Sequence, residues 1–181
     1  MGTSAEARSI ARDGISRDAW LAQFVEQHGD AAYRTAYRLL ADRHDAHDAV
    51  QDALATAFRR WDHLRSADAG RAWMFRILVN TCISRLRRRR VREGALQLIG
   101  MAPAARGADP SIASDYSERV LPHLLKLPVK QRTAVILRFG DERSVEDIAE
   151  LMGIGAESVK THLKRGLAQL RIAIARAGGT P

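Results

Sequence analysis

Ser144-Val145-Glu146-Asp147-Ile148-Ala149-Glu150-Leu151-Met152-Gly153-Ile154 is a short amphipathic helix that runs into a glycine turn. Val145, Ile148, Ala149 and Met152 share one face of it. A second helix follows from about Ala156 through Val159, Leu163, Gly166, Leu167 and Leu170. At about 100° per residue, Val159, Leu163, Gly166 and Leu170 form one apolar stripe. The opposite arc carries Lys160, Thr161, Lys164 and Arg165, with Glu157 and Ser158 at its start. A helix that is apolar behind and basic in front, after a short turn with glycine, has the form of a helix-turn-helix whose second helix enters a DNA major groove.

The rest of the chain reads as helix on either side of a break. Apolar spacing predicts helices over about 18–28, 30–41 and 46–61, the last with Val50, Leu54, Ala57, Phe58 and Trp61 as its core stripe. A loop covers Arg65–Gly70, and a helix runs from about Arg71 to Val91. Residues 93–117, with Gly94, Gly100, Pro103, Gly107 and Pro110, read as a linker. Helices resume over about 117–125 and 128–139, where Pro128 suits a helix start. No segment has a convincing strand period. The expectation is an all-α chain of two small helical domains joined by a flexible linker: a mobile N-terminus over 1–16, one domain over 17–92, the linker over 93–117, the helix-turn-helix domain over 118–176 and a tail over 177–181.

Lys and Arg number 29 against 21 Asp and Glu, a net charge of +8. That balance favours a polyanionic partner. The one cysteine, Cys82, rules out a disulfide framework within the chain and any cysteine-built metal site. There is no signal-peptide pattern and no apolar run of about 18 residues, so a cytoplasmic protein with no membrane contact is expected.

Two further patterns carry chemistry. In the helix from Arg71, one arc holds Trp73, Arg76, Asn80, Ser84 and Arg87, followed by the run Arg87–Arg90. An aromatic ring, guanidinium groups and an amide together suit stacking on unpaired bases, bonding to their edges and neutralising phosphates. Trp73 reads equally well as a core aromatic, and an arginine run ending a helix is partly explained by dipole complementarity. Upstream, Asp48, Gln51 and Asp52 stand at i, i+3 and i+4 and share a face, with Asp45 one turn before. An acidic patch in a basic protein is either plain surface or a dock for a basic protein partner.

These residues resemble a family. Asp45-Ala46-His47-Asp48-Ala49-Val50-Gln51-Asp52-Ala53, Trp61, and Arg71-Ala72-Trp73-Met74-Phe75-Arg76-Ile77 with Asn80 resemble the second conserved region of extracytoplasmic-function sigma factors of bacterial RNA polymerase. Leu127-Pro128-Val129-Lys130-Gln131-Arg132, Val135-Ile136-Leu137-Arg138 and the helix-turn-helix resemble their fourth region. The resemblance covers roughly 19–92 and 118–175, in the family's order. It implies that Asp45, Asp48, Gln51 and Asp52 dock on the clamp-helix coiled coil of the largest core subunit. It implies that Arg65, Trp73, Arg76, Asn80, Arg87 and Arg88 engage the −10 element, and that Ser158, Lys160, Thr161, Lys164 and Arg165 read the −35 element as duplex. The family usually has Glu where Asp52 stands, and His47 and Ala49 replace residues that are commonly acidic and large aliphatic. The implied partners are core RNA polymerase, promoter DNA and an anti-sigma factor, with no cofactor, no metal and no catalytic residue, and a nucleoid-associated place in the cytoplasm.

Two other readings compete. His44-Asp45 and His47-Asp48 suggest a His-Asp metal phosphohydrolase, but such a site needs more His and Asp ligands from separate helices. The Val159–Leu163 stretch also suits a helix-turn-helix regulator that acts without polymerase. An α/β receiver domain would be expected beside it, and the N-terminal half shows no strand.

Overall fold

The computed structural model describes residues 16–64, 66, 69–98, 100 and 115–177, with 115–119 by backbone alone. Most of the expected mobile N-terminus, linker residues 99 and 101–114, Arg65 and tail residues 178–181 lie outside the described residues. Seven α-helices occur among the described residues: α1 (Arg17–Leu40), α2 (Arg43–Arg59), α3 (Gly70–Leu98), α4 (Asp115–Leu124), α5 (Val129–Phe139), α6 (Val145–Met152) and α7 (Ala156–Arg176). A 3-10 turn at Trp61–His63 lies between α2 and α3. None of these helices is long and apolar enough to cross a membrane.

α1, α2 and α3 pack together as the N-terminal unit. Ser16 caps α1, its Oγ accepting from the Ala19 N–H at 3.2 Å. The two helices expected over 18–41 are one. Gly29 lies inside α1 and does not break it, because Trp20 and Phe24 before it and Ala32, Ala36 and Leu39 after it bury one continuous face. That burial outweighs the roughly 0.5–1 kcal/mol that a mid-helix glycine costs. Asp42 caps α2, its Oδ1 accepting from the N–H groups of His44 and Asp45, each at 2.9 Å.

The buried stripe of α2 keeps Ala57 of the expected one and otherwise differs from it. Ala46, Ala49, Ala53 and Ala57 are fully buried, while Val50 and Leu54 are half-buried and Phe58 is 41% exposed. Small side chains let neighbouring helices approach closely, and Phe58 is left outside with the Arg17 guanidinium 3.4 Å above its ring. Trp61 is buried as expected.

α3 begins where it touches Trp20. A methyl on Gly70 would stand 2.4 Å from Cζ2 of that buried ring, which also packs on Phe24, Trp61 and Trp73. Gly70→Ala is therefore expected to destabilise the N-terminal unit by roughly 1–3 kcal/mol, the range of overpacking. Urea denaturation followed by tryptophan fluorescence checks this; an unchanged midpoint would mean the ring moves aside freely.

α3 also ends later than its glycine suggests. It continues through Gly94 to Leu98, supported by an Arg89–Glu93 pair at 3.0 Å one turn apart. Arg87–Arg90 thus sit inside the helix rather than at its end, and dipole complementarity does not account for them. Cys82 is fully buried in this helix, and burial pushes its thiol up to about 12. The folded protein is expected to resist an aromatic disulfide reagent at pH 8 and to react in denaturant. Because the unfolded thiol ionises near its ordinary value of 9.0, this group's contribution to stability is lost as pH rises from there towards 12.

In the C-terminal unit, α5 is buried on all sides over Thr133, Ala134, Val135, Ile136 and Leu137, packed mainly on α7 and also on α1, α3 and α6. A capping box opens α6: Ser144 Oγ accepts from the Asp147 N–H at 3.0 Å, and Asp147 Oδ2 accepts from the Ser144 N–H at 3.2 Å. The hydrogen bond from Ser144 holds the Asp147 carboxyl below its ordinary range. Gly153 closes α6 at φ +63°, in the left-handed region where glycine carries no side-chain penalty. On α7, Val159, Gly166 and Leu170 are buried as the spacing predicts, with Leu163 half-buried against the same core.

The two units are packed against each other. Asp141, with a side chain 6% exposed, accepts from Thr35 Oγ1 at 2.7 Å and pairs with Arg38, both on α1. The Arg143 guanidinium lies 5.5 Å from the Phe75 ring centroid on α3.

Candidate nucleic-acid interface

An open polar depression of about 710 Å³ runs between α2 and α3. α2 supplies Asp52, Thr56 and Arg59 to it, with Arg60 just beyond its end, and α3 supplies Trp73, Arg76, Asn80, Ser84 and Arg88. Trp73 is half-buried, its ring edge-on to Trp20 at 6.4 Å between centroids, so the indole is held by the core and still borders the depression. Arg76, Asn80, Ser84 and Arg88 are exposed. The site offers an aromatic edge, an amide and several guanidinium groups, which is chemistry for a nucleotide.

Beside it, Asp45, Asp48 and Asp52 line up along α2, with side chains 36%, 60% and 60% exposed. Gln51 is exposed next to them. Two arginines of α3 lie against this stripe. Arg85 meets Asp52 Oδ2 at 2.5 Å through Nη2 and at 3.2 Å through Nε, and reaches Asp45 and Asp48 at 3.8 Å each. Arg89 meets Asp45 Oδ2 at 3.1 Å.

On α7, Ser158, Lys160, Thr161, Lys164 and Arg165 are all exposed on the side away from Val159 and Leu170. Lys160 Nζ donates to Glu157 Oε1 at 2.7 Å, and that hydrogen bond raises the lysine above its ordinary value. His162, half-buried between them, is held below its ordinary value by burial and by the charges of Lys130 and Arg165.

The sequence matches the family model for Sigma-70 region 2 over residues 24–92 and that for Sigma-70, region 4 over residues 122–170. It is 33% identical over 150 residues to an RNA polymerase sigma-E factor of Streptomyces coelicolor, covering 82% of each chain. It is 32% identical to the ECF RNA polymerase sigma factor SigM of Mycobacterium tuberculosis, covering 91% of this chain and 80% of that one. The chain belongs to the extracytoplasmic-function sigma factors. The fold agrees: the sigma factor RpoE of Bartonella quintana, solved in complex with the anti-sigma factor NepR, superposes with a TM-score of 0.65 over 86% of this chain and 96% of that one, at 24% identity. A sigma factor is a transcription initiation factor and not an enzyme. Among the described residues, no three His, Cys, Asp or Glu side chains come together as metal ligands.

In this sigma factor, four of the residues expected at the −10 element share the depression: Trp73, Arg76, Asn80 and Arg88. Arg87 does not. It borders a separate crevice of about 430 Å³ with Arg90, Lys130, His162 and Arg165, because the C-terminal unit packs alongside that part of α3. Arg65 lies outside the described residues. Thr56, Arg59 and Arg60 are not singled out by sequence. Thr56 and Arg59 follow Asp52 at i+4 and i+7, and that spacing is the available signal.

The packing of the two units also occupies Asn80. Its Nδ2 donates to the Arg76 carbonyl in its own helix at 2.8 Å and to the Leu151 carbonyl of α6 at 3.3 Å. The amide nitrogen has two hydrogens to give. Both hydrogens of this amide are thus directed at backbone carbonyls, one of them across the contact between the two units.

Proposed function

We propose a division of labour within this initiation factor. The exposed carboxylates of α2 dock it on core RNA polymerase. The depression between α2 and α3 captures an unpaired −10 base and so promotes melting, with Trp73 beside the base, Asn80 on its edge and Arg76 and Arg88 on the phosphates. Ser158, Lys160, Thr161, Lys164 and Arg165 on α7 read the −35 element as duplex. The single observation that supports this best is the gathering of an aromatic, an amide and guanidinium groups in one open polar depression beside an acidic stripe. An anti-sigma factor is a further partner in this reading, and the place of action is the nucleoid in the cytoplasm.

A base edge is accessible only after unstacking, which costs a few kcal/mol and is offset by pocket contacts. Asn80→Ala is therefore expected to leave core binding and the −35 footprint intact, to lower open-complex formation and to relax preference at one −10 base. Permanganate reactivity of unpaired thymines measures this on duplex and pre-melted promoters. The pre-melted template recovers part of the activity, since it removes the unstacking cost but not the lost readout. Wild-type reactivity with unchanged base preference in the variant would make Asn80 a structural amide bridging α3 and α6.

A further inference from the structure

We infer that Arg85 is a positioning residue for polymerase docking: it gathers the carboxylates of α2 into the array that the partner meets. This rests on the reading of that acidic face as the docking surface. Asp45, Asp48 and Asp52 succeed one another by a turn of helix, and like charges at that spacing repel. Left alone, their side chains would spread among rotamers. Arg85 reaches all three from α3, and its side chain is only 23% exposed, so it is anchored beneath them rather than waving among them. A planar guanidinium fork can hold several oxygens in fixed directions; an ammonium cannot.

The ion pairs divide the carboxylates into two kinds. Asp45 is engaged through both oxygens, Oδ1 towards Arg85 and Oδ2 towards Arg89. Asp48 and Asp52 meet Arg85 through Oδ2 only, and their Oδ1 atoms take no part in these pairs. Asp48 and Asp52 thus keep one oxygen outside these pairs for a cationic partner, while Asp52 through Arg85 and Asp45 through Arg89 tie the array to α3. Arg85 is also the neighbour of Ser84 in the −10 depression, so one turn of α3 supports both surfaces.

Charge alone and positioning predict opposite signs. Removing Arg85 makes the stripe more negative, which by charge alone draws a basic partner in faster and holds it longer. Loss of preorganisation shortens the life of the complex instead. The test uses the full-length chain and immobilised core polymerase, with association and dissociation followed separately. Arg85→Gln is expected to dissociate five- to tenfold faster with association unchanged or faster. Arg85→Lys, which keeps the charge and guards against a folding defect, is expected to dissociate faster than wild type too. In an Asp48→Asn/Asp52→Asn background, adding Arg85→Gln is expected to change dissociation by less than twofold. Unchanged or slower dissociation of either single variant, with circular dichroism and melting unchanged, would overturn the proposal, as would a full additional effect in the Asn background. If Asp48→Arg/Asp52→Arg retains wild-type core binding, the docking reading itself fails; if that variant loses binding while Arg85→Gln and Arg85→Lys dissociate normally, only the role of Arg85 fails.

Discussion

Reversing two charges on α2, Asp48→Arg together with Asp52→Arg, is expected to abolish binding to core RNA polymerase while leaving the helical fold intact. Both side chains are 60% exposed, and the face of α2 that holds the fold together is the buried one of Ala46, Ala49, Ala53 and Ala57. The Asp42 cap is untouched. The substitution loses the ion pairs of two exposed carboxylates with the partly buried Arg85, worth at most about 1 kcal/mol each, and the new arginine side chains can turn outward from it into solvent. The cost to stability is therefore small. The cost to docking is not: like charges set against each other across an interface cost several kcal/mol, and every 1.4 kcal/mol is about tenfold in affinity. Co-purification with core polymerase, with circular dichroism as control, reads the outcome. Retained binding with an unchanged spectrum would place the docking face elsewhere.

Asp141→Lys is expected to separate the two units. Asp141 is nearly sealed from solvent between Thr35 and Arg38, and its replacement puts an ammonium against the Arg38 guanidinium. Arg38 is 37% exposed, so the lost ion pair is worth at most about 1 kcal/mol; the larger cost is an ammonium placed in a site sealed from solvent, beside a like charge and a Thr35 hydroxyl left without its acceptor. Asp141 itself lies in the turn between α5 and α6, outside any helix, so helical content should hold while the radius of gyration from X-ray scattering rises. The Asn80 amide is then released from Leu151, and the free protein is expected to bind a single-stranded −10 oligonucleotide at least tenfold more tightly. Unchanged scattering and oligonucleotide affinity would mean that Asp141 does not hold the units together in solution.

Helix type and order are legible in the sequence because apolar spacing and capping residues are local. The stripe Val159, Leu163, Gly166 and Leu170 faces the core as its spacing predicts, and Gly153 ends α6. Local signals mislead where they meet tertiary ones. Gly29 and Gly94 mark no break, the first because a continuous buried face runs past it, the second because α3 simply continues past it. Larger side chains weigh more in a hydrophobic pattern and so point to Val50 and Phe58 as the core stripe of α2, whereas close helix packing selects the alanines. At the candidate site, Trp73, Arg76, Asn80 and Arg88 can be grouped because one helix carries them all. Thr56, Arg59, Arg60 and the partners of Arg85 belong to crossing helices, and Asp141 meets Arg38 from the other unit; no spacing rule within one helix reveals such pairs.

The length of α3 has an evolutionary consequence. At about 1.5 Å per residue its 29 residues make a rod of about 43 Å. Phe75 on the aromatic core, Asn80 in the depression and Arg85 against the acidic stripe share a single helical register. One residue inserted between Asn80 and Arg85 turns everything downstream by about 100°, swinging the guanidinium fork off α2 and Leu86 out of the core. Deleting one residue does the same in the opposite sense. On the proposed reading, a change of promoter preference at this depression is expected to come from exchanging exposed side chains in place, because a change in the helix's length between Phe75 and Arg85 disturbs its packing on α2.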